Sequence, residues 1–187
     1  VQMKKITKIY KNNRYKKIHV KFVIPKPDSK SILMSKKLQG GVLMDMGPYI
    51  SSIPRLFNLK KLLKKKIRII KNKQKLIVSI KFLINFEEGE YQGIFKFGGK
   101  YKNEIKILSG SKKSYIKRVF SPPDNEFLTL KTILKKKKKI IKFKKDNCFK
   151  NFFTEVLKSI NEKKYNFYYK RMLHDVNFRT SLNNKII

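Results

Sequence analysis

Residues 40–57 read GGVLMDMGPYISSIPRLF and differ in composition from the rest of the chain. They include three glycines, two prolines, one carboxylate and no lysine. The apolar residues recur at the three- and four-residue spacing of an amphipathic helix, at Leu43, Met46, Ile50, Ile53 and Phe57. Pro48 fits only a first helical turn, where its missing N–H has no partner within the helix. The stretch therefore predicts a helix that begins near Met44–Met46, after a conformationally free glycine pair.

Asp45 and Tyr49 are the residues of this helix that could carry chemistry. At the predicted start, Asp45 lies at or beside the N-cap, where a carboxylate accepts a backbone N–H. Tyr49 is four residues further and shares a face with Asp45, and Gly47 leaves room between them. On a structural interpretation, Asp45 only caps the helix and Tyr49 is a half-buried aromatic residue. On a functional interpretation the two side chains face a pocket, and an Asp–Tyr pair alone does not distinguish the two.

The run Gly-Gly-Val-Leu-Met-Asp-Met-Gly-Pro-Tyr, residues 40–49, resembles the helix that opens the second domain of the Gfo/Idh/MocA oxidoreductases. The pattern of that family is a glycine run and a small apolar stretch, followed by Asp-x-Gly-x-His or Asp-x-Gly-x-Tyr. This sequence is similar to the tyrosine branch and has Gln39 where many members carry another glycine. The resemblance implies that Asp45 and Tyr49 are catalytic residues that line the substrate pocket beside the nicotinamide.

A polar loop over residues 28–39 precedes this run. Family members often carry a basic residue in this loop that reaches the substrate. The resemblance therefore implies Lys36 and Lys37 as substrate-binding residues, with Lys30 as an alternative alignment. Residues 107–123 carry a second specific likeness to the family: an isoleucine-glycine turn, a strand, and an Arg-x-Phe-x-Pro-Pro exit.

Residues 76–120 predict a series of antiparallel strands. Every second residue of the first strand is apolar, at Leu76, Val78, Ile80, Phe82, Ile84 and Phe86. Short turns follow at residues 87–89, 98–99 and 109–112, so that successive strands are neighbours. Helical segments flank this region. The pattern predicts an α+β fold: a largely antiparallel open sheet of five to seven strands with helices packed on one face.

The opposite face of this sheet is expected to carry four apolar residues, Ile77, Leu83, Ile94 and Leu108. An open sheet face with such residues is a candidate association surface, so a homodimer or higher oligomer is predicted through it. The alternative is a scatter of surface apolar residues, which is common in monomers.

We expect a single domain over residues 1–187. In chain order, its predicted parts are a helix (3–17), a strand (19–24) and a loop within residues 1–39, the motif helix in 40–58, the sheet in 64–145 and two closing helices in 146–183. Asp146 or Asn147 is expected to cap the first closing helix. Its apolar stripe is Phe149, Phe152, Phe153, Val156, Leu157 and Ile160.

The second closing helix is predicted over residues 166–182. Its apolar side is Tyr169, Leu173, Val176 and Thr180. His174 and Asp175 lie off this stripe and are expected in solvent. The Phe-x-x-Glu-Val-x-x-Ser-Ile run of the first closing helix, residues 152–160, is also similar to the C-terminus of the resembled family.

The formal net charge is +36, from 48 Lys and Arg against 12 Asp and Glu. A charge of this sign and size ordinarily indicates nucleic acid as a partner. However, the lysines are spread over the whole chain rather than gathered on one motif. The chain also lacks alanine and tryptophan, a residue usage typical of A/T-rich coding DNA. We therefore interpret most of the charge as solvated surface and expect only non-specific binding of nucleic acid.

The single cysteine, Cys148, excludes an internal disulfide and fits a reducing compartment. No apolar run approaches the roughly 20 residues of a membrane span, and no signal peptide is visible. A cytoplasmic location without a membrane partner is therefore expected. His19 and His174 are far apart in the sequence and no Cys/His cluster occurs, so no metal site is expected.

The sequence lacks a Gly-x-Gly-x-x-Gly run after a strand, and it lacks the Glu-Lys-Pro motif that supplies the catalytic lysine in the resembled family. The resemblance therefore implies the substrate-binding and oligomerisation half of an NAD(P)-dependent oxidoreductase, without its N-terminal Rossmann domain. NAD or NADP would be bound by a missing or separate Rossmann domain, and this chain alone would not be catalytically competent. The implied substrate is a sugar, a sugar nucleotide or a related hydroxy compound.

Two other functions stay open on the sequence. One is a basic nucleic-acid-binding module that uses Lys135–Lys139 with stacked aromatic residues such as Phe95 and Tyr101. The other is an inactive structural paralogue that keeps the dimerising sheet.

Overall fold

A computed structural model describes residues 2–124, 126–145 and 147–183, and in this part of the chain one eight-stranded sheet carries helices on one face. In chain order, the elements are α1 (Gln2–Tyr10), β1 (Lys16–Ile24), α2 (Val42–Asp45), α3 (Gly47–Leu56), β2 (Leu62–Lys71), β3 (Ile77–Phe86), β4 (Gly89–Phe97), β5 (Lys102–Ser109), β6 (Lys112–Lys117), β7 (Thr129–Leu134), β8 (Lys137–Lys142), α4 (Cys148–Asn161) and α5 (Tyr165–Asn183). A short 3-10 turn, Ile32–Met34, precedes α2.

The strands lie in the order β2-β3-β4-β1-β5-β6-β7-β8. β1 pairs in parallel with β4, and the other neighbouring pairs of the described sheet are antiparallel. The predicted fold class, a largely antiparallel open sheet with helices on one face, is confirmed. The predicted number of strands, five to seven, is too low: the sheet has eight, and one of them is β1, which precedes the predicted sheet of residues 64–145. β1 lies at its centre, where Ile18 pairs with Tyr91 on one side and Ile107 on the other.

The leading helix is shorter and the leading strand longer than predicted. α1 ends at Tyr10 rather than continuing over 3–17, and β1 begins at Lys16. Lys16 pairs with Gly89 of β4, where φ is +154° and an added Cβ would overlap the Lys16 carbonyl oxygen. Only glycine at position 89 lets the backbone of β4 come this close to Lys16. Gly89, which is distant in the sequence, therefore helps to set where β1 begins. β2 begins at Leu62, two residues before the predicted start of the sheet at residue 64.

The core lies between the sheet and helices α1, α3 and α5. The inward side chains of β3 and β4 form its centre and are Ile80, Phe82, Ile84, Phe86, Tyr91, Phe95 and Phe97. Gly93 is paired with Phe82, and an added Cβ on Gly93 would overlap the Phe82 ring. Full burial of one such aromatic side chain contributes roughly 1.5–3 kcal/mol. The β3–β4 pair therefore supplies a large share of the core.

Helix α3 contains an internal proline, Pro54. Because proline has no N–H, it cannot donate to the carbonyl of Ile50, four residues earlier. The hydroxyl of Tyr91 in β4 donates to that carbonyl at 3.1 Å, and Tyr91 is fully buried. Burial raises the pKa of Tyr91 well above its usual value, so the hydroxyl keeps its proton. The sheet thus satisfies a helix carbonyl that the proline leaves unpaired.

We expect Tyr91→Phe to lower the free energy of unfolding by about 1–3 kcal/mol, because it leaves the buried Ile50 carbonyl without a donor. In a Pro54→Ala background the same substitution should cost much less, since alanine at this position has the helical N–H donor that proline lacks. Urea unfolding of the four proteins measures this coupling. If Tyr91→Phe lowers the free energy of unfolding equally in both backgrounds, the Tyr91 hydroxyl does not compensate for the N–H that Pro54 lacks.

Asn147 caps α4, as predicted, because its side chain accepts a hydrogen bond from the Lys150 N–H at 2.8 Å. The alternative cap, Asp146, lies outside the described residues. The apolar stripe of α4 is exposed, and none of its residues is buried. Each helix in the described part of the chain is too short or too polar to cross a membrane.

Helix α5 packs against α3 through a different face from the one predicted. The predicted stripe residues Tyr169, Leu173, Val176 and Thr180 are all exposed or only partly covered, and none is buried. Asp175, expected in solvent, instead accepts hydrogen bonds from Arg55 of α3 at 2.8 and 2.6 Å. The side chain of Arg179 packs over Gly47, because a Cβ added to Gly47 would lie 2.5 Å from the Arg179 Cδ. The prediction failed because the docking face combines the charged Asp175 with Phe178 and Leu182, which pack on the core, so apolar periodicity alone does not identify it.

The outer face of the sheet, defined as the side away from the helices, holds three of the four apolar residues expected there. Leu83, Ile94 and Leu108 lie on it, but Ile77 packs against the core. The register of β2 against β3 shifts by one residue next to Ile77, and such a bulge turns the preceding side chain to the other face. Dimer formation through the outer face stays a prediction.

Candidate functional site

The motif stretch folds as two helical segments, and Asp45 is not the N-cap of either one. Gly41 is the N-cap of α2, and Met46 is the N-cap of α3, which begins at Gly47. Asp45 closes α2, and its N–H donates to the Gly41 carbonyl at 3.0 Å. Asp45 thus lies beside the N-cap of α3, as predicted, but neither helix start receives a capping hydrogen bond from its carboxylate. The sequence did not predict the short helix α2, which follows Gly41 at a φ of +101°. Pro48 lies in the first turn of α3, as predicted.

Gly40 and Gly41 fit the motif against the loop that precedes it. A Cβ on Gly40 would lie 2.5 Å from the carbonyl oxygens of Ile32 and Leu33. The Gly41 N–H donates to the Leu33 carbonyl at 2.8 Å. The absence of side chains on the glycine pair thus lets the backbone of the 3-10 turn, Ile32–Met34, pack directly against it.

Lys36 and Lys37, implied by the resemblance as substrate-binding residues, lie in the turn between the 3-10 turn and the glycine pair. Both are exposed, and the turn is closed by the Gly40 N–H, which donates to the Ser35 carbonyl at 2.8 Å. No hydrogen bond or ion pair in the described part of the chain joins either lysine to the motif carboxylate or phenol. Both ammonium groups therefore stand in solvent on the loop that leads into the motif.

Tyr49 is half-buried, with its ring at the edge of the core and its hydroxyl near the surface. Its ring centroid lies 5.5 Å from that of Phe22 and 4.9 Å from that of Phe120. Its hydroxyl lies 2.6 Å from the hydroxyl of Ser121, and either group can be the donor. The aromatic contacts fix the ring, so the phenol is presented at a defined position with a second hydroxyl beside it.

Asn103 of β5 holds Phe120 and Ser121 beside Tyr49. The buried Asn103 amide donates to the Phe120 carbonyl at 2.5 Å and accepts from the Phe120 N–H at 3.0 Å. The sequence pointed to residues 107–123 through the family resemblance, but it did not identify Asn103 or Ser121. No local pattern marks them, because their partners are distant in the chain and are found only in the folded state.

Asp45 is exposed and, within the described residues, its carboxylate makes no hydrogen bond or ion pair. The surrounding protein nevertheless removes enough water from the carboxylate to raise the pKa of Asp45 above its usual value. A carboxylate in this state can accept a hydrogen bond from a hydroxyl of a bound ligand. Asp45 is the last residue of α2 and Tyr49 lies in the first turn of α3, so the two residues belong to consecutive helices.

The side chains of the motif offer hydrogen-bonding groups of both kinds. Asp45 supplies an acceptor, while the Tyr49 and Ser121 hydroxyls form a pair that can donate, accept or pass a proton. The expected space over Gly47 is filled by the side chain of Arg179. No group of three His, Cys, Asp or Glu residues in the described ranges is arranged to hold a metal ion.

No protein-family model matches this chain, and no curated protein sequence matches it. Solved structures do share its fold. A mutant of KijD10, a 3-ketoreductase from Actinomadura kijaniata in complex with TDP-benzene and NADP, superposes with a TM-score of 0.80 at 14% identity, covering 98% of this chain and 57% of that chain. An aldose-aldose oxidoreductase from Caulobacter crescentus complexed with glycerol gives a TM-score of 0.62 at 12% identity, over 75% of this chain and 44% of that chain. The UDP-N-acetylglucosamine 3-dehydrogenase GnnA from Acidithiobacillus ferrooxidans superposes with a TM-score of 0.60 at 10% identity. The match covers 81% of this chain and 46% of that chain.

These structural neighbours are oxidoreductases of the Gfo/Idh/MocA type, the family that the motif resembles. The chain spans about half the length of each of them. At 10–14% identity the likeness establishes the fold of this chain.

Proposed function

We propose that this chain is the substrate-binding half of an NAD(P)-dependent oxidoreductase that acts on a sugar, a sugar nucleotide or a related hydroxy compound. The observation that carries the proposal is the superposition of 98% of the chain on about half of a 3-ketoreductase solved with TDP-benzene and NADP. The motif with Asp45 and Tyr49 adds support, because it resembles the tyrosine branch of the family's second-domain motif.

In this proposal Tyr49 is the proton donor or acceptor at the reacting hydroxyl. Its ring is held by Phe22 and Phe120, so the phenol keeps one position, and Ser121 lies at 2.6 Å to pass the proton on. Asp45 accepts a hydrogen bond from a neighbouring substrate hydroxyl and so orients the substrate.

Lys36 and Lys37 are proposed to bind the substrate from the loop that leads into the motif. Both ammonium groups are solvated in the described structure, so they are available to an anionic group such as a diphosphate. The fixed backbone contact between Ser35 and Gly40 ties this loop to the motif.

The dinucleotide is proposed to bind to a Rossmann domain outside these 187 residues, because the sequence contains no Gly-x-Gly-x-x-Gly run. When bound, NAD or NADP supplies or accepts the hydride. The residues of this chain would bind the sugar, orient it and move the proton, and turnover would need both domains.

Hydrogen–deuterium exchange on this chain with a panel of TDP- and UDP-sugars tests the proposal. We expect a bound sugar nucleotide to slow exchange in α2, α3 and residues 118–121, where Asp45, Tyr49 and Ser121 lie, because binding orders these segments. The β7–β8 hairpin provides an internal control and should be unchanged. If no sugar nucleotide of the panel slows exchange in α2, α3 or residues 118–121 at millimolar concentration, the proposed substrate class is wrong.

A further inference from the structure

The register of the sheet sorts its charged residues by face. Fourteen Lys and Arg side chains of the eight strands lie on the outer face, together with two carboxylates, Glu90 and Glu104. One cross-strand row from β2 to β6 reads Arg68, Lys81, Ile94, Lys21, Glu104 and Lys117. The outer face is therefore an ordered grid of cations, which the sequence composition alone did not indicate.

Two of the apolar residues of the outer face, Ile94 and Leu108, lie between lysines of the neighbouring strands. Ile94 pairs with Lys81 on one side and Lys21 on the other, and Leu108 pairs with Lys17 and Lys113. Two copies placed face to face would oppose surfaces of the same charge, which is unfavourable at low salt. The charge of this face instead complements a polyanion.

One end of the outer face opens into a cleft with aromatic walls. The cleft has a volume of about 440 Å³ and lies between the ends of β5 and β6 and the loop before β7. Tyr101 and Phe127 line it and are 45% and 65% exposed, and the Lys145 Nζ lies 5.4 Å from the centroid of the Phe127 ring. Glu104 and Glu126 also line the cleft. Lys102 and Lys117 belong both to the cleft and to the outer face, which makes the two surfaces continuous. Phe95, the other aromatic residue expected to stack, is fully buried and takes no part.

We propose that the outer face and this cleft bind single-stranded nucleic acid. Lysines at alternate strand positions recur about every 6.8 Å along a strand and about 4.8 Å between strands, which suits a phosphate backbone without any one sequence. A surface that combines a basic track with exposed aromatic rings is the arrangement that binds single strands, since unpaired bases stack on the rings. An acidic polypeptide would satisfy the lysines but has no bases to occupy the cleft at Tyr101 and Phe127.

Fluorescence anisotropy with a labelled oligothymidine tests this proposal on the full chain. The face variant replaces Lys81, Lys96 and Lys106 with glutamate, and these side chains are exposed on the outer face. The matched control replaces Lys4, Lys5 and Lys8 with glutamate. These residues are exposed on α1, which packs on the opposite side of the sheet, and the change in net charge is the same.

The face variant should bind the oligothymidine at least 100-fold more weakly at physiological salt. Its plot of log K against log salt should be less steep by about 2, because each of the three lost phosphate contacts accounts for roughly 0.7 of the slope. The α1 control should change the affinity only a few-fold. Replacing both Tyr101 and Phe127 with alanine should weaken single-strand binding at least tenfold and leave duplex binding nearly unchanged. Circular dichroism of each variant establishes that it is folded.

Equal losses in the face variant and the α1 control would overturn the proposal, because the binding would then follow net charge alone. Competition by polyglutamate as strong as by oligothymidine, together with no effect of the aromatic substitutions, would also overturn it and would identify the surface as one for acidic polypeptides. Sedimentation adds a third outcome. Association of copies that strengthens with salt would assign the face to a dimer, whereas nucleic-acid binding weakens with salt.

Discussion

Replacing Tyr49 with phenylalanine should lower turnover by about 100-fold or more in a complex of this chain with a dinucleotide-binding domain. The substitution keeps the ring contacts with Phe22 and Phe120 and removes only the hydroxyl that lies 2.6 Å from Ser121. A positioned proton donor commonly contributes 10²–10⁴-fold to a rate. The stability should change by less than about 1 kcal/mol, because this hydrogen bond is solvent-exposed. Steady-state kinetics and urea unfolding of the same samples separate the two effects.

Asp45→Asn is the companion variant. It should also lower turnover while leaving stability nearly unchanged, since Asp45 is exposed and caps no helix. Ser52→Ala, one turn away on α3, is the matched control. Its hydroxyl bonds only weakly to the Tyr49 carbonyl at 3.4 Å, so its kinetics should match the wild type. Wild-type turnover in both Tyr49→Phe and Asp45→Asn would show that the two residues are structural and would reject their catalytic assignment.

Replacing Asn103 with alanine should lower the free energy of unfolding by about 3 kcal/mol. The change leaves the N–H and the carbonyl of buried Phe120 unpaired, and each unpaired buried group costs about 1–3 kcal/mol. For a domain of this size the midpoint of thermal unfolding should fall by roughly 6–12 °C. The same variant should disturb the site, because Asn103 fixes the segment that brings Ser121 to Tyr49.

Asn85→Ala is the control for this second prediction. Asn85 lies in a neighbouring part of the sheet on the outer face, and in the described structure its side chain makes no hydrogen bond. Its replacement should change stability by no more than about 0.5 kcal/mol. If the two substitutions cost the same, the loss at Asn103 would reflect strand propensity, and the anchoring of Phe120 would be refuted.

The parts of the fold that the sequence predicted correctly depend on neighbours in the chain. The alternation from Leu76 to Phe86 set the inward face of β3, because side chains of a strand alternate between faces. Asn147 was one of two predicted caps of α4, and it accepts from the N–H of Lys150, three residues later. Pro48 was predicted in the first turn of its helix and lies in the first turn of α3.

The candidate site was predicted in part. Asp45 and Tyr49 came from the motif, and the structure places Tyr49 against residues 120–121 of the second segment that resembled the family. The sequence predicted the start of α3 correctly to within a residue or two, but it did not predict the short helix α2, which follows a glycine at positive φ. It also missed Asn103, whose role is visible only where β5 meets the chain that leaves β6.

By itself the sequence determined local periodicity: which segments are strands or helices, and, in regular strands such as β3, which face is apolar. The tertiary structure alone decided the long-range pairs. It put β1 between β4 and β5, turned Ile77 inward through a bulge, and paired Asp175 with Arg55. It also supplied the Tyr91 hydroxyl to the carbonyl that Pro54 leaves free. The physical reason is that a buried donor, acceptor or charge must find a partner wherever the chain brings one, and a residue's periodicity carries no information about a partner dozens of residues away.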